Sequence, residues 1–145
     1  MTQEDKELLL KDLCARLPYG VCYKHFAWGD EREEKCVAAQ IYSINSNGYV
    51  KNCYDDKTDN IDNVRPYLFP LSSMTDAEQE ELEQEHSKDE MLYIECLERA
   101  AKGDNSMRGK VITHYAMDWC NKNHFDYRGL IEKELAIDAT GLNIY

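Results

Sequence analysis

Four residues near the C-terminus have the types and spacing of a metal site. His114 and Asp118 are four apart, so on a helix they share one face, and His124 and Asp126 follow closely. Two imidazoles and two carboxylates could hold a zinc or iron ion and serve a small metal-dependent hydrolase. The pattern is not H-E-x-x-H, and H-x-x-x-D at helical spacing arises often by chance, so the residues favour no metal and no cofactor. Asp55, Asp56, Asp59 and Asp62 put four carboxylates in nine residues, which raises calcium. An EF-hand loop needs a glycine at its sixth position and a glutamate at its twelfth, and here the twelfth residue from Asp55 is Pro66. A solvated loop is expected instead. Tyr127-Arg128-Gly129 stands at the start of an expected helix, where backbone N–H groups and Arg128 could bind an anion or a partner. Pairing of Arg128 with a surface carboxylate is the plainer expectation.

The six cysteines, at 14, 22, 36, 53, 96 and 120, contain no C-x-x-C pair, so no zinc ribbon is written in the chain. The expected helical, core-facing places of Cys14 and Cys120 favour free buried thiols. There is no G-x-S-x-G, P-loop or G-x-G-x-x-G. Many cysteine–histidine pairs are conceivable in space, and nothing in the sequence selects one.

Charge is more informative. The net charge of −11 opposes binding to nucleic acid through its phosphates, which needs clustered lysine and arginine. Glu80, Glu81, Glu83 and Glu85 concentrate acid on one expected helix. That surface could serve solubility, or attract a basic protein by imitating DNA. No apolar run is long enough to span a membrane, and the opening M-T-Q-E-D-K-E is unlike a signal peptide, so a cytoplasmic protein is expected.

The elements that must position these residues begin with a helix. Thr2 is its expected N-cap; Leu9, Leu10, Leu13, Cys14 and Leu17 form its apolar face, and Pro18-Tyr19-Gly20 stops it. Val21–Trp28, Cys36–Ile44 and Tyr49–Tyr54 alternate as strands of an antiparallel meander. Gly29–Glu33 turns between the first two, and Asn47-Gly48 marks the second hairpin. Val37, Ala39 and Ile41 fall on one face of the second strand, Tyr42 and Ile44 on the other. Ile61–Val64 is expected as an edge strand. The segment Val64–Leu71 carries two prolines, which argue against a central strand, so an extended crossing is expected that tucks Leu68 and Phe69 under helices.

Thr75 and Glu78 form a capping box that opens the acidic helix, where Leu82 is almost the sole apolar residue. Ser87–Glu90 repeats the signature before a helix over Lys88–Ala101, closed by Gly103. Val111, Ile112, Tyr115, Ala116, Trp119 and Cys120 then line one face of a further helix ending at Asn121–Asn123, with Trp119 as the core anchor. A shorter helix is expected after Asp126, with Phe125 and Leu130 as a hydrophobic staple. The tail, Ile137 to Tyr145, is expected to dock, as an added strand. A length of 145 residues suits one domain, with residues 1–71 as helix plus sheet and 72–145 as a helical half. The fold class is α+β: an N-terminal helix, an antiparallel sheet of three to five strands that could curl into an SH3-like barrel, and a helical C-terminal half.

The blocks V-R-P-Y-L-F-P-L-S-S-M-T-D (Val64 to Asp76) and H-F-D-Y-R-G-L-I-E-K-E-L-A-I-D-A (His124 to Ala139), with L-P-Y-G (Leu17 to Gly20), resemble a family of small uncharacterised proteins of anaerobic gut bacteria, often encoded in prophage or other mobile elements. The resemblance covers about a third of the chain; the glutamate-rich stretch from Glu78 to Ser106 departs from it. It implies a bacterial, cytoplasmic, phage-associated context and no activity. With no catalytic motif written, the expected function is that of a non-enzymatic accessory or protein-interaction protein.

Overall fold

The computed structural model describes residues 1–28, 34–55, 57–84 and 114–145. The expected turn Gly29–Glu33, the helix Lys88–Ala101 with its Ser87–Glu90 signature and Gly103 cap, and Glu85, Val111 and Ile112 lie outside these residues. So do the side chains of Glu83, His114, Tyr115 and Cys36, and all of His86 and Cys96.

The fold is α+β. Helix α1 (Gln3–Arg16) opens with a complete capping box: Asp5 N donates to Thr2 Oγ1 and Thr2 N donates to the Asp5 carboxylate, each at 3.1 Å. Leu9 and Leu13 are fully buried as expected, but Cys14 is exposed. The buried face of α1 instead runs through Asp12 and Arg16, a polar pair that apolar periodicity cannot reveal. A 3-10 turn at Leu17–Tyr19 ends on Gly20 in the left-handed region.

Strands β1 (Cys22–Trp28), β2 (Glu34–Ile44), β3 (Tyr49–Asn52) and β4 (Thr58–Asn60) follow as an antiparallel meander, curled into a half-barrel. Gly48 makes the β2–β3 turn at φ +75, and a Cβ there would stand 3.2 Å from Ile61. The edge strand is Thr58–Asn60, while Ile61–Asn63 is a 3-10 turn capped by Asn60. The expected strand at Ile61–Val64 is thus displaced, because burying Ile61 beneath Gly48 turns the chain inward. Pairing passes from Ile41↔Asn52 to Ser43↔Lys51, so Tyr42 is an extra, bulged residue. The bulge leaves Tyr42 exposed and returns Ile44 to the core side opposite Val50, reversing the expected alternation.

The proline-punctuated segment is a central strand after all. β5 (Tyr67–Pro70) lies between β6 (Phe125–Asp126) and β7 (Ile137–Asp138) in a small parallel sheet. Prolines are tolerated because both stand at the margins: Pro66 precedes the strand and contributes its carbonyl to Ile137 N, and Pro70 is its last residue. Pro66 also bridges to Tyr23, tying this sheet to the free edge of β1. Helix α2 (Asp76–Gln84) begins with the expected Thr75–Glu78 box, and helix α3 (His114–Lys122) precedes β6.

The second, shorter helix expected after Asp126 is absent; Tyr127–Glu134 is a series of turns. Asp126 explains this. Its carboxylate accepts from the N–H groups of Arg128, Leu130 and Ile131, satisfying them without a helix. Phe125 and Leu130 do not meet as a staple, since they enter different core clusters. The left-handed residue after α3 is His124 at φ 59, not an asparagine. The tail docks as expected: β7 adds a strand, and the Tyr145 hydroxyl donates to Tyr67 O at 2.7 Å and accepts from Cys22 N.

Two clusters form the core. One joins Leu9, Leu13, Tyr23, Ile41, Val50 and Leu130 between α1 and the curled sheet. The other gathers Leu71, Met74, Leu82, Trp119 and Phe125, with Trp119 stacked on Phe125 at 5.5 Å. Between them lies the fully buried Asp12–Arg16 pair. Arg16 donates to both Asp12 oxygens, at 2.7 and 3.1 Å, and to the carbonyls of Cys120 and Phe125. Burial alone would depress its ionisation, but Asp12 outweighs that and leaves the guanidinium raised. We predict that Asp12→Ala, which strands a buried cation, lowers the unfolding free energy by about 3–5 kcal/mol in urea titrations. A loss under about 1 kcal/mol would contradict this account.

Candidate functional site

Among the described residues, the metal-site candidates singled out by sequence do not assemble. Asp118 lies on the exposed side of α3 and accepts from the Tyr19 hydroxyl at 2.7 Å. Asp126 is buried and held by the three backbone amides described above. His124 is buried, its ring stacked on Tyr145 with centroids 3.8 Å apart and planes 10° apart. These three side chains each face different partners, and the His114 side chain is not among the described residues. Arg128 does meet a carboxylate, but a buried one. Its Nε is 3.1 Å from Asp12 Oδ1, close enough for ion pairing yet misaligned for a hydrogen bond, so that N–H has no hydrogen-bonding partner. Its Nη2 donates to the Tyr127 hydroxyl at 2.6 Å, and its guanidinium lies over that ring. On α2, Glu80 and Glu81 are exposed.

The assembled cluster is one that the sequence pattern assigns to a solvated loop. Tyr23 and His25 alternate onto the inner face of β1, and the curl of the sheet brings β4 and the β3–β4 turn over them. His25 Nδ1 is 2.8 Å from Asp59 Oδ2, and Nε2 is 3.2 Å from Asp55 Oδ2. Both contacts are hydrogen bonds only when both ring nitrogens carry protons. Asp59 also accepts from Tyr23 at 2.5 Å, and Tyr23 accepts from Asn52 Nδ2 at 3.0 Å. Asn52 Oδ1 in turn accepts from Tyr54 N and Asp55 N, fixing the turn. Lys57 Nζ lies 3.0 Å from Asp55.

These contacts set the charges. Burial, then the bond to Asp59, pushes the Tyr23 hydroxyl far above its ordinary value, so it stays a donor. Burial opposes ionisation of Asp55, but hydrogen bonds from Lys57 and His25 outweigh it and hold that carboxyl well below the usual range. The two carboxylates occupy opposite nitrogens of one ring, so they share no coordination point. Among the described residues no group of three His, Cys, Asp or Glu side chains gathers around a metal position. With both nitrogens engaged, His25 clasps β1 to β4 and leaves no open nitrogen for a substrate. Alternation along β1, which puts His25 inward with Val21 and Tyr23, is the signal that could have pointed to it.

No family model matches the chain, and no curated protein or solved structure is significantly similar to it. Among the described residues no helix is long and apolar enough to cross a membrane.

Two measurements probe these histidines. Burial, then the charge of Arg16, lowers the His124 pKa to about 4 from an unfolded value of 6.5. Between those values the unfolded chain takes up a proton that the folded chain does not. Stability should therefore fall, by on the order of 3 kcal/mol, as pH drops from 6.5 to 4, the group adding no further loss below that. Urea unfolding at a series of pH values checks this, and His124→Asn should flatten that part of the curve. For the clasp, His25→Ala should cost about 2–4 kcal/mol, because Asp55 and Asp59 then face each other without the ring between them.

Proposed function

We propose that the protein is a non-enzymatic accessory protein that binds a basic partner, with the acidic helix α2 imitating the charge of DNA. The observation behind this reading is how α2 is held. Leu82 is buried against Leu71, Met74 and Trp119, and the Thr75–Glu78 box fixes the first turn. The helix is mounted on the core while Asp76, Glu80 and Glu81 face outward. A helix so poor in apolar residues needs that anchorage to persist. Mounted acid at helical spacing, in a chain of net charge −11, attracts a basic surface more effectively than a mobile tail. The resemblance of two blocks to mobile-element proteins supports a cytoplasmic, prophage setting in which a DNA-binding protein is the target.

The test is capture from a bacterial lysate on immobilised protein, at low and high salt, with duplex DNA as competitor. A DNA-binding protein should be retained at low salt and displaced by DNA. Replacing Glu80, Glu81, Glu83 and Glu85 together by Gln should reduce its retention at least about tenfold, the effect expected when a charge-steered contact is removed. Retention that ignores both the competitor and the substitutions would overturn the reading.

A further inference from the structure

A groove of about 460 Å³ runs between β1 and the 59–65 segment, lined by Lys24, His25, Phe26, Asp59, Asp62, Asn63 and Arg65. Lys24 N donates to Arg65 O at 3.0 Å, so the two cations start from adjacent backbone positions. There are 28 acidic residues against 17 lysines and arginines, so a surface cation would be expected to find a carboxylate. Among the described residues neither of these does. Lys24 lies over the Phe26 ring at 5.1 Å. Arg65 uses only Nη1, donating to the backbone carbonyls of Asp62 and Val64 at 3.0 and 2.8 Å. The two acids in the groove are already held. Asp62 pairs with Lys6 at 2.7 Å, and Asp59 is engaged by His25 and Tyr23.

We propose that this groove binds a carboxylate carried on an apolar stem. With Nη1 fixed by two carbonyls, the guanidinium is oriented in advance, and its Nε–Nη2 edge remains for a ligand. That planar edge matches the two oxygens of a carboxylate. Lys24 supplies a second positive charge, and the half-exposed Phe26 ring offers the stem an apolar surface. Asp59 and Asp62 in the same walls disfavour a more highly charged ligand such as a phosphate dianion. The groove falls in the volume range of sites for small ligands. The site is separate from α2, so its fate does not decide whether the acidic helix binds a basic partner.

The carboxylate could belong to a free small acid or to an acidic side chain of a peptide, and two titrations of the whole protein separate these. One uses phenylacetate and the other the blocked dipeptide acetyl-Phe-Glu-amide, each followed by amide NMR shifts, with phenylacetamide as the uncharged control. The expected result is saturable shifts at Lys24, Phe26, Asn63 and Arg65 with at least one carboxylate and none with the amide. The tighter ligand identifies the source. Arg65→Gln and Lys24→Gln should each weaken binding about tenfold or more, as loss of a charge-assisted bond implies. Should Arg65→Gln disturb the turn that Nη1 ties, visible in the same spectra, Lys24→Gln alone decides. Failure of both carboxylates to saturate, equal binding of phenylacetamide, or unchanged affinity in the variants would overturn the proposal.

Discussion

The buried Asp12–Arg16 pair is the contact on which the rest of the architecture depends. Two charges removed from water are tolerable only when their remaining donors and acceptors are satisfied. Asp12 holds Arg16 with both oxygens, and the guanidinium spends its other hydrogens on carbonyls at the end of α3 and in β6. Cys120 O lies in the last turn of α3, where carbonyls lack intrahelical donors, whereas Phe125 O in β6 also accepts from Tyr127 N. One side chain thus closes the C-terminal end of α3, sets β6 beside α1, and seals the boundary between the two apolar clusters. The Tyr127 ring, with the guanidinium groups of Arg16 and Arg128 at 5.7 and 4.6 Å from its centre, completes the enclosure.

A second set of polar contacts completes the curled sheet. β1 and β4 share no ladder, yet they stand close because the sheet bends around a core of Tyr23, Ile41 and Val50. His25 spans that opening between two carboxylates, while β2 pairs along one edge of β1 and Pro66 bridges to its free edge. Neither edge of the meander's first strand is left as a long unpaired template, which limits edge-to-edge association. The same curl brings together the two sides of the groove, since its lining includes both His25 of β1 and Asp59 of β4, which that contact joins.

Local signals in the sequence were legible where backbone chemistry decides the outcome. The Thr2 and Thr75 caps, the Asn47-Gly48 turn and the three strands of the meander stand close to where alternation and capping residues put them. The features that escaped are those fixed by distant partners. Nothing local tells that Asp126 will satisfy three amides and replace a helix, or that Tyr42 will bulge and reverse Ile44. The aspartates at 55 and 59 look like solvent-facing acid until the curl of the sheet brings His25 to them. The same holds for Asp12 and Arg16: an i,i+4 pair of charges usually marks a surface, and its burial follows from what packs above it. Trp119 was identifiable as an anchor because its size demands burial anywhere, although it serves one cluster of two.

The parallel sheet ties strand β5 to partners some sixty residues further along the chain. The meander and α1 can collapse on themselves from nearby contacts, but Tyr67–Pro70 has no neighbour to pair with until Phe125 and Ile137 arrive. During synthesis, Leu68 and its flanking carbonyls must wait while the whole acidic stretch is made. Such waiting exposes apolar strand to other chains, and dense like charge on the intervening segment keeps those chains apart. By simple electrostatics, acid lying between β5 and its partners in the chain would oppose the association of such unfinished sheets until the last strand is available.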